Sequence, residues 1–204
     1  MPFYENDGKR CLQSCGRTIV KYFLDRDCSL DELDRLTGRE GEKWTNTSQL
    51  VVALDNLGLE VKLFSKERVD GSLEGEAYYR RTYGKNADKI LKHTDIEVLN
   101  GSIRKLMRKD IFELKKVSID EIEGFISKGY GVIVLIDNNK IIGKNDFYQG
   151  HAVVLTGFDN KNNYYHDSGP RNAEANKKVR KEVFVEAMDA NGTDNDCVVV
   201  FGKK

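Results

Sequence analysis

Apolar positions in the first third of the chain recur at intervals of three and four. Leu12, Cys15, Ile19, Tyr22 and Phe23 fall on one stripe of a helix over 12–24, with Cys11 in its first turn. Ser29 followed by Glu32 forms a capping box ahead of Leu30, Leu33 and Leu36, and Gly38 supplies the stop, which predicts a second helix. A third begins at Thr47 or Ser48 and runs through Leu50, Val51, Leu54 and Leu57 to Gly58, followed by a short strand from Glu60 to Phe64. After a helix capped by Ser118 and carrying Ile122, Phe125 and Ile126, the chain turns to strands. Two are strongly apolar: Gly131 to Ile136 and His151 to Phe158. Asn163 to His166, a segment around Lys178 to Glu182, and Asp196 to Phe201 add three more, with a short helix near Phe184 to Met188. The runs Asp137-Asn138-Asn139 and Asp159 to Asn163 suit hairpins between antiparallel neighbours. Helices first and strands second predict an α+β fold with N-terminal helices packed on a C-terminal antiparallel sheet.

Residues 65–116 break this pattern. Charged residues dominate, apolar ones are sparse, and Gly71, Gly75, Gly84 and Gly101 separate short helical fragments such as Glu76 to Tyr83. We read the segment as a charged helical insertion in a single domain spanning 1–204. A lid over a site and a solvated hairpin with no part in it fit the pattern equally.

Composition narrows the classes. A chain of 204 residues with 39% hydrophobic and 32% charged residues can bury one core without staples. Lys plus Arg equals Asp plus Glu at 33 each, so no overall field favours nucleic acid or an anionic membrane. The first ten residues lack the apolar run of a signal peptide, and no later stretch approaches the roughly 20 apolar residues needed to span a bilayer. A cytoplasmic location is expected. There the four cysteines, Cys11, Cys15, Cys28 and Cys197, stay as thiols. The sequence calls for no cofactor and no resident metal, and no pattern in it sets an oligomeric state.

Cysteine is a strong nucleophile only as thiolate, and a helix N-terminus favours that form through its unpaired N–H groups and dipole. Cys11 occupies such a place, although taken alone it is better explained as a small buried residue. His151 follows Gly150 at the head of an apolar strand, and Asp167 ends the strand Tyr164-Tyr165-His166 before the turn Ser168-Gly169-Pro170. Two antiparallel strands joined by a turn bring their outer ends together, which would put a general base beside an orienting carboxylate. Taken singly, His151 suits a structural role and Asp167 a turn.

The ordered runs Cys11 to Phe23, Leu30-Asp31-Glu32-Leu33, Gln49-Leu50 to Gly58, Gly150-His151, Gly157-Phe158-Asp159 and Tyr165-His166-Asp167 resemble the bacteriocin-processing cysteine peptidase family. The resemblance covers the chain outside much of 65–116. It implies a papain-like fold and a catalytic set of Cys11, His151 and Asp167. It also implies a peptide or small amide substrate with small residues before the scissile bond. No transporter sequence accompanies the domain, so the stand-alone kind is expected. Ser14-Cys15-Gly16 imitates the motif around the family's nucleophile, but Cys11 keeps the family's eleven-residue spacing to Tyr22, and Cys15 would lie one turn too deep. Relatives carry a glutamine several residues before the nucleophile, whose amide helps stabilise the oxyanion. Here Glu5 and Asn6 occupy that region; an ionised Glu5 cannot donate, so Asn6 is the expected donor, and Gln13 inside the helix is a poorer one. Two other readings stand beside hydrolysis: a peptide-binding or regulatory module on the same fold, favoured by Glu5, and a metal site from Cys11 and Cys15 with His151 or His166. The second lacks a Cys-x-x-Cys knuckle.

Overall fold

The computed structural model describes residues 1–146, 148–170 and 172–204. Its N-terminal half opens with α1 (Cys11–Leu24), α2 (Leu30–Thr37) and α3 (Thr47–Asn56), followed by β1 (Leu59–Ser65). Residues 66–116 contribute two short 3-10 turns, α4 (Glu76–Tyr83), α5 (Ala87–His93), α6 (Ile96–Arg108) and β2 (Phe112–Leu114). The second half holds α7 (Ile119–Ser127), β3 (Gly131–Asp137), α8 (Asn138–Ile141), β4 (Gly150–Phe158), β5 (Asn162–Asp167), β6 (Glu174–Arg180), α9 (Lys181–Met188) and β7 (Cys197–Lys203).

The strands form one sheet in the order β2-β1-β7-β3-β4-β5-β6, parallel only between β1 and β2. Its central strands are apolar on both faces because helices cover both. Ile133, Ala152, Val154, Val198 and Val200 join one core with Leu12 and Ile19 of α1 and Leu50 and Leu54 of α3. Their alternates Val132, Val134, Val153, Leu155 and Val199 join a second core with Ile122 of α7 and with Phe184 and Met188 of α9. The architecture is α+β, with helices on each side of a mixed sheet.

Three expectations need adjustment. The strand expected near Lys178 to Glu182 lies earlier, at Glu174–Arg180, and α9 starts at Lys181. This edge strand buries only Val179, so its pattern carries little signal. Asp137-Asn138-Asn139 is no tight hairpin turn: the Asp137 carboxylate accepts from Asn139 N at 3.0 Å and starts the one-turn helix α8. The third concerns 65–116, which is not wholly peripheral. β2 extends the sheet beside β1, and Leu106 of α6 is fully buried in the core beneath α1 and α3.

Candidate active site

The N-terminus of α1 has no side-chain cap and no acidic residue in its first turn, so its dipole and free N–H groups face whatever lies at Cys11. Arg10, immediately before it, is fixed by carboxylates. Its guanidinium meets Asp7 at 2.6 Å, Asp31 at 2.6 Å and Asp34 at 3.1 Å, tying the start of α1 to α2.

His151 enters from β4, whose register on β3 pairs Ile136 with His151. The β4–β5 hairpin is closed by Asp159, whose Oδ1 accepts from Lys161 N at 2.7 Å and Asn162 N at 2.8 Å. The returning strand brings Asp167 alongside, and the His151 Nε2 to Asp167 Oδ1 distance is 3.0 Å. The imidazole also hydrogen-bonds the Cys11 sulfur, and the Ala152 and Leu12 backbone N–H groups donate to that sulfur. Thiol, imidazole and carboxylate therefore lie together, with His151 in contact with both of the others, His151 and Asp167 buried and Cys11 partly so.

The charges are mutually supporting. Burial pushes the Cys11 thiol up, yet the His151 hydrogen bond and charge with the two N–H donors outweigh it and bring the thiol below its usual range. Burial pulls His151 down, but its bonds to Asp167 and to the Cys11 sulfur outweigh that and hold it at about 9. For Asp167, burial is overcome by His151, Lys177 and the Gly169 N–H, which hold it at about 2. The arrangement favours a thiolate–imidazolium pair anchored by a carboxylate.

Three neighbours of this set carried no signal in the sequence. Lys177 Nζ lies 2.7 Å from Asp167 Oδ2, placed there by the β5–β6 register that pairs Tyr165 with Lys177. Arg10 is the second. The third is Tyr148, whose ring lies against Gly150 and Gly192. At Gly192 (φ +106°) a Cβ would stand 2.9 Å from the tyrosine Cγ, so only glycine fits without a shift. Burial and the carboxylates of Asp194, Asp196 and Asp137 raise the Tyr148 phenol, with a smaller push from Cys11.

The other candidates lie elsewhere in the network. Asn6 Nδ2 donates to Ser168 Oγ at 2.8 Å and Gly169 O at 3.0 Å, while its Oδ1 accepts from Gly8 N. To reach an oxyanion it must give up one of those bonds. Glu5 is exposed, and its backbone oxygen accepts from Ser14 Oγ at 3.4 Å. Gln13 is buried and bonded to Thr45 and Thr37. Cys15 is buried one turn deeper, its thiol pushed well up by burial, and burial raises Cys28 and Cys197 as well. His166 stands outside the set, with Nε2 3.1 Å from Met1 O and Nδ1 accepting from Asn176 N at 3.1 Å. His93 stacks on Trp44 with ring centroids 4.7 Å apart. Among the described residues no group of three or more His, Cys, Asp or Glu is arranged to hold a metal ion.

Residues 9–200 match the family described as guanylylate cyclase. The chain belongs to that family. Guanylyl cyclase 1 of Arabidopsis thaliana is 25% identical over 146 residues, 61% of this chain and 53% of that protein, so this chain spans about half the length of the curated relative it matches. Its backbone is similar to peptidase domains. One is the peptidase domain of Streptococcus ComA, described as a bifunctional ABC transporter involved in a quorum-sensing pathway. The TM-score is 0.57 at 12% identity, covering 98% of this chain and 97% of that one. A putative C39-like peptidase from Bacillus anthracis gives 0.55 at 14% identity, covering 98% and 93%. At these identities the likeness shows the fold alone. The resemblance to bacteriocin-processing peptidases thus holds at the level of the fold, while the family matched along the sequence is the guanylylate cyclase family. No helix among the described residues is long and apolar enough to cross a membrane.

Proposed function

We propose that this chain is a thiol hydrolase that cleaves a peptide or small amide through an acyl-enzyme on Cys11. The observation that carries the reading is the contact set Cys11–His151–Asp167, with the imidazole hydrogen-bonded to the sulfur and its Nε2 3.0 Å from the carboxylate. In the acylation step the Cys11 thiolate attacks the substrate carbonyl carbon and a C–S bond forms. The C–N bond then breaks while the His151 imidazolium passes its proton to the leaving nitrogen. Water, deprotonated by the now neutral imidazole, attacks the thioester, releases the carboxylic acid and restores the thiolate–imidazolium pair. Asp167 keeps the ring oriented and its charge compensated throughout. The free N–H groups at the start of α1 supply donors to the developing oxyanion.

The family's name raises a different chemistry, cyclisation of a nucleoside triphosphate, and one preparation tests both. Purified protein is treated with substoichiometric iodoacetamide near neutral pH and mapped for the label, and then offered a peptide library and, separately, GTP with Mg²⁺ or Mn²⁺. The expected result is label on Cys11 and cleavage of peptide bonds that Cys11→Ala abolishes. Formation of cyclic GMP that Cys11→Ala leaves intact, with no peptide cleaved, would overturn the reading.

A further inference from the structure

A cavity of about 500 Å³ adjoins the imidazole, lined among the described residues by His151, Asp167 and Lys177 together with Asn138, Gln149 and Lys144. Cys11 is not among its walls. This position gives the cavity its place in the reaction. The imidazolium must deliver its proton to the departing nitrogen, so the departing half of the substrate lies on the imidazole's side of the sulfur, and the acyl half lies away from it.

The described walls mix apolar surface from Ile142 and Pro170 with amide side chains, and their charge is one-sided. The carboxylate in them, Asp167, is occupied by His151 and by Lys177. Asp137, just behind the Asn138 end, directs its Oδ1 to the N–H groups of Asn139 and Gln149, both at 3.0 Å, so its charge is met by backbone donors. Lys177 is matched to Asp167, whereas Lys144, exposed at the rim, brings a positive charge to amide-lined walls. A carboxylate placed there exchanges water for an ammonium and amide N–H donors, whereas an ammonium would meet Lys144 at close range.

Building on the thiol-hydrolase reading, we infer that this cavity binds the leaving half of the substrate and selects one that bears a carboxylate. Either a side-chain carboxylate on the first residue after the scissile bond or a free α-carboxylate at that residue supplies this chemistry.

The test reads binding, so it does not depend on turnover. Three leaving-group amines are titrated into the ¹⁵N-labelled full chain, followed through the amide signals of Gln149 and Gly169: glutamic acid α-amide, with a side-chain carboxylate; glutamine, with an α-carboxylate; and glutamine α-amide, with neither. At least one carboxylate-bearing probe is expected to bind about tenfold or more tightly than the glutamine amide, and which one does so identifies the source. Lys144→Glu should erase that difference. Lys144→Gln should reduce it, and both variants should keep the wild-type spectrum elsewhere because Lys144 is a surface residue. Equal binding of all three probes, or a preference unchanged in Lys144→Glu, would overturn the inference. Failure of Cys11 to label ahead of the other thiols would sink the hydrolase reading and leave this binding result standing on its own.

Discussion

At the scale of single residues, the site is organised by charges held off their ordinary values. Cys11 is brought down by His151 and two N–H donors, and His151 is held at about 9. Both shifts push the pair towards thiolate and imidazolium. Iodoacetamide at pH 6.5 should alkylate Cys11 at least about tenfold faster than Cys15, Cys28 or Cys197, which burial keeps as thiols. His151→Asn should slow that reaction by a similar factor and move its titration towards the ordinary thiol range. Hydrolysis should rise through the depressed Cys11 titration and fall again near pH 9, when His151 loses the proton that the leaving nitrogen needs. A rate that keeps climbing beyond pH 10 would contradict this assignment. Lys177 is the other lever. Asp167 is held at about 2, below its unfolded value, so its stabilisation is complete above the unfolded pKa and is lost as pH falls through about 2. Lys177→Met removes one of the two cations on that carboxylate and raises its folded pKa, so acid unfolding should begin at higher pH. The expected cost at neutral pH is about 1 to 3 kcal/mol, read by urea denaturation. Lys177→Arg should restore both the acid midpoint and the turnover; an acid midpoint unchanged in Lys177→Met would remove Lys177 from the network.

At the scale of elements, the α1 helix and the β4–β5 hairpin carry the reacting groups, and the sequence spoke plainly about both. The stripe of Leu12, Cys15, Ile19 and Phe23 and the apolar runs of β3 and β4 are legible because they face well-filled cores, whereas Tyr22, expected on the same stripe, is exposed. Asp159 to Asn163 spells out its own turn. The placement of Lys177 had no such mark: it depends on the register of an edge strand that buries only Val179, and register is a property of two strands together. Arg10 was equally silent, since a charged residue before a helix does not announce which carboxylates will surround it. β2 is three residues long and its Phe112 is only half-buried, so 65–116 read as wholly charged and helical. The consequence can be measured. α6 sends Leu106, fully buried, into the core that supports α1. Leu106→Ala should therefore cost about 2 to 5 kcal/mol in urea unfolding, as a core truncation does. A loss below about 0.5 kcal/mol, the range of surface substitutions, would return the segment to the role of a detached hairpin.

At the scale of the whole molecule, the site lies where a helical layer meets a sheet, and it works only if the two keep their distance. The first residues of the chain bridge them. Tyr4 lies beneath the Arg17 guanidinium of α1, 4.0 Å from the ring centroid, and Phe3 packs on His166 of β5 with centroids 5.3 Å apart. Asn6 then joins the turn after Asp167, its backbone N–H donating to Ser168 O at 2.8 Å and its side chain to Ser168 Oγ and Gly169 O. Gly169 N in turn donates to Asp167 Oδ1 at 3.1 Å. Asn6 therefore stands in two possible relations to catalysis, as an oxyanion donor or as a brace for the Asp167 turn, and the two are separable. Losing an oxyanion donor lowers kcat by about 10² to 10³ with little change in stability. Losing a brace removes two side-chain hydrogen bonds, costs on the order of 1 to 3 kcal/mol, and changes turnover in step with the Asp167 geometry. The bonds in place lead us to expect the second pattern for Asn6→Ala: a lowered Tm, a weakened His151–Asp167 bond seen as a downward shift in the His151 titration by NMR, and a kcat loss of about tenfold or less. Ser168→Ala, which takes away one of the same bonds without touching any proposed oxyanion donor, should reproduce a smaller version of all three changes. A drop of 10² or more in kcat for Asn6→Ala with unaltered Tm and unaltered His151 titration would instead make Asn6 the second donor to the oxyanion.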